Sequence, residues 1–538
     1  MSHDSSPAAP APAGAGEAAV ERRKIAGRAG VVAAGTLASR VLGLIRDQVI
    51  AAVFSRAVTD AFFVAFTLPN VLRQLLAEGA VQSAVLPVLA ATRERDGDDA
   101  ARRFYANVRG LWLVLLLVVS GLGVAFADVL VELFAAGFHE IPGQFERTVQ
   151  LTRWVFPYIF FMGTAALGVA ALNTYQRFAV TAFAPTLLNI AFVAFALLLP
   201  DWLGARGYDT TLALAAAVLV GGLLQVAAQW PSLARIGFLR RPTFDFADPG
   251  LREVLRRMGP ISIGMGVYYV DTLLARRFLS ELGLGAQSYF SWALTLCNFP
   301  QGIFVMALQT AALPSLARLA ARGEMPEFSA TFAFGMRLAL FVALPATALC
   351  VTLAEPLVVL LFQRGEFDAL SARETARALV AQGSGIWLVA CVRQLVSAYY
   401  ALGDTRTPVL VAAIDLAAFI AAALLLRGPL GHVGVSAAVT LASAVQAGLL
   451  WLGLRRRLVE LKTREIAESA AKTLAAALGA SALAYGVASQ IRVGGFGGGL
   501  QAALAAPSFA LAFLALAWLF RSPELRALAP LLARLRAR

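Results

Sequence analysis

Charge is scarce in this chain. Of its 538 residues, 15% are Asp, Glu, Lys or Arg and 59% are hydrophobic, against about 25% and about 45–50% in soluble domains. Mean hydropathy is +0.71. A soluble fold is excluded, and a polytopic membrane protein is what remains. Histidine is rarer still: His3, His139 and His432 all lie outside the apolar runs, which argues against a His-based catalytic or metal site. The three cysteines, Cys297, Cys350 and Cys391, sit inside apolar runs with neither metal-ligand spacing nor a disulfide pattern. There is no Gly-x-x-x-x-Gly-Lys-Ser/Thr loop, so ATP is not hydrolysed by this chain and no cofactor is expected. Any uphill transport must draw on a coupling ion or the membrane potential, worth about 2.3 kcal/mol per charge per 100 mV. Strand-like alternation over about ten residues does not recur either, which leaves an all-α polytopic membrane fold.

What is present is long apolar runs and an excess of arginine. At roughly 20 residues per crossing, the sequence predicts fourteen transmembrane helices: 29–54, 58–90, 107–134, 149–175, 182–200, 210–230, 256–279, 286–317, 329–353, 377–402, 407–426, 432–454, 470–490 and 500–520. The net charge of +13 would suggest nucleic acid in a soluble protein. Here it reads as arginine collected in cytoplasmic loops, and no nucleic-acid partner is expected. With the N-terminus inside, the inner loops, their edges and the two tails hold 28 Lys and Arg, and the outer loops hold 7. That bias predicts cytoplasmic N- and C-termini.

An internal repeat divides the chain. Ala80-Val-Gln-Ser-Ala-Val-Leu-Pro-Val-Leu-Ala90 matches Ala307-Leu-Gln-Thr-Ala-Ala-Leu-Pro-Ser-Leu-Ala317 at seven of eleven positions, an offset of 227. The same offset carries Ala127-Asp-Val-Leu-Val onto Ala354-Glu-Pro-Leu-Val. An even number of helices separates the copies, so the halves run parallel, related by an axis along the membrane normal with a site between them. The expected organisation is a disordered cytoplasmic tail (1–28), an N-lobe of helices 1–6 (29–230) and a cytoplasmic linker (231–255). A C-lobe of helices 7–12 (256–454), two extra helices (455–520) and a basic cytoplasmic tail (521–538) follow.

The stretch 39–87 breaks the apolar pattern. Arg40, Arg46, Asp47, Asp60, Arg73 and Glu78 lie in or against its two helices. A charge at bilayer depth costs roughly 2.5–3.5 kcal/mol on the insertion scale, so these groups should face a polar cavity. At the repeat offset Arg40, Arg46 and Arg73 map to Val267, Leu273 and Pro300. The duplicate manages without the charges, which argues for function; ion pairing with Asp47, Asp60 and Glu78 is the structural alternative. Arg40 and Arg46 point about 120° apart on a helix of 3.6 residues per turn. Asp47 returns to the face of Arg40 and is its expected partner. Arg46 and Arg73 are then freer to meet an anion, and arginine suits phosphate oxygens. Pro69, Gly79 and Pro87, and Pro300, Gly302 and Pro314, interrupt the second and eighth spans, as ordinary membrane-helix prolines or as bends at a gate. Asp271 and Asp415 are candidates for ion coupling, with snorkelling or local pairing as the alternative. Asp96-Gly-Asp-Asp99 sits among arginines and reads as a solvated charge run, not a metal site.

These motifs resemble the bacterial lipid II flippases of the MviN/MurJ type, within the multidrug/oligosaccharidyl-lipid/polysaccharide exporter superfamily. The resemblance is carried by Ser39-Arg-Val-Leu-Gly-Leu-Ile-Arg-Asp47, Thr59-Asp-Ala-Phe-Phe-Val-Ala-Phe66, Leu68-Pro-Asn-Val-Leu-Arg73 and Ala77-Glu-Gly-Ala80. Phe183-Ala-Pro-Thr-Leu-Leu-Asn189, Met258-Gly-Pro260 and Tyr400-Ala-Leu-Gly-Asp-Thr-Arg-Thr-Pro408 extend it. It implies fourteen helices in two lobes around a cationic cavity. It implies flipping of an undecaprenyl-diphosphate-linked peptidoglycan precursor across the bacterial cytoplasmic membrane, by alternating access, for cell wall synthesis. Arg40, Arg46 and Arg73 would hold the diphosphate, Asp47, Asp60 and Glu78 would set cavity charge or gating, and the last two helices would form a groove for the lipid tail. One departure stands out. The family's Asp-Arg pair in the eighth span is replaced here by Leu294 and Thr295. Arg276, Arg277 and Arg393 are the cations that could compensate. The alternatives are a different lipid-linked oligosaccharide, an ion-coupled small-molecule exporter, a membrane enzyme handling polyprenyl phosphates, and a non-transporting paralogue acting as a scaffold.

Overall fold

The structure, a computed structural model, describes residues 15–75, 81–302, 306–458, 461–493 and 497–525. Every regular element among them is helical. The first half comprises α1 (Ala15–Val53), α2 (Arg56–Leu72), α3 (Gln82–Ala125), α4 (Ala127–Ala135), α5 (Gln144–Val155), α6 (Tyr158–Thr174), α7 (Phe178–Leu198), α8 (Pro200–Gly204) and α9 (Thr211–Arg235). The second comprises α10 (Pro249–Ser280), α11 (Ala286–Pro300), α12 (Met306–Arg322), α13 (Met325–Thr352), α14 (Ala354–Phe362), α15 (Ala369–Gly383), α16 (Ile386–Ala401), α17 (Arg406–Leu430) and α18 (His432–Arg457). Last come α19 (Thr463–Val493) and α20 (Gly498–Leu519). Helix begins at Ala15, inside the stretch expected to be a disordered tail.

Among the described residues, 10 helical segments are long and apolar enough to cross a membrane. By that measure the count is ten, not the expected fourteen. The expected spans left over fall on α1, α2 with the start of α3, α10, and α11 with α12. In these elements charges or breaks interrupt the apolar run. α1 carries Arg40, Arg46 and Asp47, and α10 carries Asp271, Arg276 and Arg277. α2 and α11 stop after 17 and 15 residues.

The duplication is written into the helix ends. α4 spans 127–135 and α14 spans 354–362, so both ends differ by 227. The same spacing separates the ends of α1 and α10 (53 and 280) and of α6 and α16 (174 and 401). Phe126 and Leu353, which break the two copies, share a backbone conformation (φ −104°, ψ 24° and φ −111°, ψ 27°). Both α2 and α11 run into a wide π-type turn, at 73–75 and 301–302. Such turns free backbone groups and mark functional points more often than neutral ones.

In the first half, α1, α6, α7 and α9 pack on one another and α3 packs on α6. In the second, α13, α16, α17 and α18 do the same. α10 belongs to both, lying against α3 and α4 on one side and α17 on the other. The Asp96–Asp99 run is a structural knot. Gly97 takes φ 83° and turns the chain inside α3. Asp98 accepts from Tyr175 Oη (2.7 Å) and Arg93 (3.0 Å), and Asp99 pairs with Arg240 (2.7 Å).

α19 and α20 dock on α13 and α14. Small residues let them pack closely, with Ala476, Ala477, Ala480 and Ala484 buried against Phe341, Phe509 and Phe513. Their end is tied by charge. Glu524, 1% exposed at its side chain, accepts from Ser469 Oγ (2.9 Å) and faces Arg337 Nε at 3.5 Å. Removing one partner of a buried pair typically costs about 3–5 kcal/mol. Arg337→Ala should therefore lower the unfolding midpoint in detergent by several degrees. Glu524→Gln, which keeps an acceptor for Ser469, should cost less; equal midpoints for Arg337→Ala and the parent would remove the pair as the tie.

Candidate functional site

The two halves meet first where α1 ends and α2, α11 and α15 begin. Asp60, on the first turns of α2, is fully buried. Its carboxylate accepts from the backbone N–H of Gly285 (2.6 Å) and of Ser288 (2.8 Å), and from the Ser288 hydroxyl. The first amides of a helix have no partner within it. Asp60 therefore caps α11 from the opposite half of the molecule. Gly285 at φ 97° makes the entry turn, and a Cβ there would lie 2.5 Å from the Tyr289 ring. Thr59 Oγ1 adds 2.7 Å to Ser288 Oγ. Arg56 bonds Tyr289 Oη (3.2 Å) and Asp368 (2.9 Å), and the Glu366 N–H donates to Ala52 O (2.9 Å). The Ser371 amide holds the Asp368 carboxyl below its ordinary range. The Arg56–Asp368 contact is therefore intact at neutral pH and lost only as pH falls through that lowered value.

Arg276 belongs to this closed end. It is 6% exposed and bonds Gln287 Oε1 (3.1 Å) and Ser291 Oγ (2.7 Å), with its charge acting on Asp60. Arg277 faces Glu281 at 3.3 Å, which Arg427 also pairs, so it sits at the rim.

Farther along α1 lies a second group. Arg46 pairs with its own neighbour Asp47 (2.7 Å), bonds Asn189 Oδ1 (3.3 Å), and stands 5.3 Å from the Phe192 ring centre. The Asp47 salt bridge is thus to Arg46, not to Arg40 as the helical spacing predicts. The other Asp47 oxygen accepts from Thr295 Oγ1 (3.2 Å) in the second half. Asn189 also donates to Ser39 O (2.9 Å), which pins α7 to α1.

A third group is deeper still. At about 1.5 Å per residue, Arg46 lies about 9 Å and Arg40 about 18 Å from Ala52. The Arg40 guanidinium rests on Gly302, where any Cβ would come within 1.8 Å of Nη1. Arg393 on α16 feels the charge of Arg40. Arg40 also lines a groove of about 540 Å³ with Ser39, Asn173, Thr181 and Pro185. Arg73 stands at the π-type turn ending α2 and bonds Asn70 Oδ1 (3.0 Å). Glu78 lies outside the described residues. Leu294 packs beside the α10–α17 core.

The sequence alone did not point to Ser288, which bonds Asp60, or to Gln287 and Ser291, which bond Arg276. A serine three residues after Gly285 was the available signal, a weak one. Asn189 stood in a quoted motif without a role.

A family model described as Lipid II flippase MurJ matches residues 50–497. A Burkholderia cenocepacia protein carrying the name lipid II flippase MurJ is 35% identical over 427 residues, 78% of this chain and 82% of its own length. A probable lipid II flippase MurJ of Bdellovibrio bacteriovorus is 34% identical over 439 residues, 81% of this chain and 83% of its own. Among solved structures, a lipid II flippase MurJ in an inward closed conformation superposes with TM-score 0.74 at 20% identity, covering 91% of this chain and 98% of that one. An inward-facing multidrug resistance transporter of the MATE family gives 0.67 at 15% identity, over 79% and 96%.

Asp60→Ala should loosen the closed end by about 1–2 kcal/mol, the value of a helix cap. The check is a cysteine introduced by Phe367→Cys, a position buried in that closure. A membrane-impermeant thiol reagent should label it several-fold faster beside Asp60→Ala and at an intermediate rate beside Asp60→Asn, whose single oxygen can keep only one of the two amide contacts. Equal labelling in all three would mean that Asp60 does not hold the halves together.

Proposed function

The chain belongs to the lipid II flippase MurJ family, and from that premise we propose that it carries an undecaprenyl-diphosphate-linked peptidoglycan precursor across the bacterial cytoplasmic membrane by alternating access. The supporting observation is the descent of arginines from the closed end. Arg46, then Arg40 with Arg393 in its field, lie along the contact between halves, and Arg73 stands at the break of α2.

In this reading Arg40, Arg46 and Arg73 bind the diphosphate. Guanidinium forks match its oxygens bidentately. Arg40 and Arg393 are like charges within each other's field, and a dianion bound near both attracts each of them. Arg393 takes the place of the cation missing at Thr295, while Thr295 and Asp47 hold Arg46 in position until the ligand competes for it. The Asp60 network is the outer gate, so the state described here loads from the cytoplasmic side, with both termini cytoplasmic. Release requires α11 to leave Asp60. α19 and α20 offer the lipid tail an apolar surface outside the cavity.

Asp271 on α10 and Asp415 on α17 are the coupling site of this reading. Asp271 accepts from the Thr272 N–H (2.7 Å), and the two carboxylates repel each other. A cation or proton between them would remove that repulsion and draw α17 to α10, the helix that touches both halves.

Labelled lipid II followed across the leaflets of proteoliposomes tests the proposal. Arg46→Ala and Arg73→Ala should each slow its movement about 10- to 100-fold, the worth of a charged hydrogen-bonded contact. They should also abolish growth of cells depleted of their own flippase. Asp271→Asn with Asp415→Asn should leave lipid II binding intact and remove the response to an ion gradient. Parental rates with both arginines gone would refute the diphosphate site.

A further inference from the structure

The segment between the halves, residues 236–248, carries two phenylalanines that the fold leaves uncovered. Phe244 is 58% and Phe246 62% exposed. They stand two residues apart in a stretch without regular structure. Around them Arg241, Arg252 and Arg256 are exposed as well.

The segment is not loose. Arg102 Nε donates to Ile236 O (3.0 Å) and Arg109 Nη1 to Phe238 O (3.0 Å). The Thr243 N–H donates to Ala106 O (3.2 Å). Asn107 forms a two-way clasp, donating to Asp245 O (2.7 Å) and accepting from the Asp245 N–H (2.6 Å). Gly110 lets the strap lie flat on α3, since a Cβ there would sit 2.2 Å from Thr243 O. Polar backbone groups thus turn toward α3, and although the Phe244 ring edges along Gly110, both phenyl rings keep more than half of their surface uncovered. A loop built only to face water has no reason to present two aromatic rings.

Charge follows the same division. The acids of the region are occupied: Asp245 accepts from the Ala247 N–H (2.9 Å), Asp248 caps α10 through Gly250 (2.7 Å), and Glu253 pairs with Arg257 (2.6 Å). Arg241, Arg252 and Arg256 have no carboxylate partner among the described residues. Depth is bounded too. α9 is long and apolar enough to cross a membrane and ends at Arg235, and an apolar sequence resumes in α10 after Arg257. The strap therefore lies at the boundary of the bilayer.

We propose that this strap is a lipid-surface anchor. Phe244 and Phe246 enter the boundary between headgroups and acyl chains, and Arg241, Arg252 and Arg256 bind phosphates of anionic phospholipids in the same leaflet. Aromatic rings prefer that zone, and basic side chains beside it add electrostatic attraction to acidic lipid. The anchor holds α3 to the leaflet on the arginine-rich face, whatever the transporter carries.

The test uses the full chain, with its three native cysteines replaced by alanine and a nitroxide attached at Phe244→Cys or Phe246→Cys. In vesicles of phosphatidylcholine with phosphatidylglycerol, the ratio of oxygen to nickel-chelate accessibility should be several-fold above that of a label at the exposed loop position Gly207→Cys. It should fall in phosphatidylcholine alone, at high salt, and when Arg241, Arg252 and Arg256 are all changed to Gln. Lipid composition and salt are varied on the unaltered arginines, so the proposal can fail even if the triple variant does not fold. Labels at 244 and 246 as open to the nickel chelate as the loop control, with acidic lipid present, would overturn it and leave the rings to a protein partner. A buried label indifferent to lipid charge would overturn the phosphate contacts.

Discussion

Hydrocarbon does not solvate charge, and that constraint organises this molecule. An ion at bilayer depth must reach water, a ligand or a counter-ion. α1, α2 and α10 each carry charges within membrane-facing lengths; α1 and α2 set Asp47 and Asp60 toward the opposite half, and α10 holds Arg276 on its neighbour α11, beside Asp60. Asp60 finds two amides and a hydroxyl there, Asp47 finds Thr295, and Arg276 is met by Gln287 and Ser291. The halves are joined where their charges need one another.

Duplication supplied the frame and divergence supplied the chemistry. Helix breaks at Phe126 and Leu353, and helix ends at 53 and 280, keep one spacing. Charge does not keep it: Arg40, Arg46 and Arg73 stand opposite Val267, Leu273 and Pro300. Gly302 shows the second half accommodating the first, since any side chain there would occupy the space of the Arg40 guanidinium. A shared scaffold thus carries different charges in its two copies, the arginines of α1 and α2 having no counterpart at the repeat spacing.

Much of this was legible in the residues. Composition and run length identify a helical membrane protein, the offset of 227 locates the repeat, and the arginines of 40–73 announce themselves by their cost. What failed to show was pairing over distance. Nothing local to Asp60 points to Ser288, because a helix start 228 residues away is an acceptor's partner only after folding. The Arg46–Asp47 pair escaped because adjacent residues on a helix rarely face each other, and only a long, flexible stem permits it. Spans that carry charges or breaks are the least apolar, so among the described residues length and hydropathy count ten crossings where the sequence pattern suggests fourteen. The strap of 236–248 looked like a plain basic loop, since its clasp depends on Asn107 and Gly110, far away in the chain.

The Asp60 cap has a consequence for how such a machine can move. While the halves touch, the first amides of α11 are satisfied by a carboxylate and the carboxylate by the amides. Separation strips both at once, and neither can be left dry. Only solvent entering the gap can replace what each has lost. Wetting and separation are then one event, and parting is opposed by the apolar walls of the crevice that water must enter there, Phe54, Trp292 and Phe367.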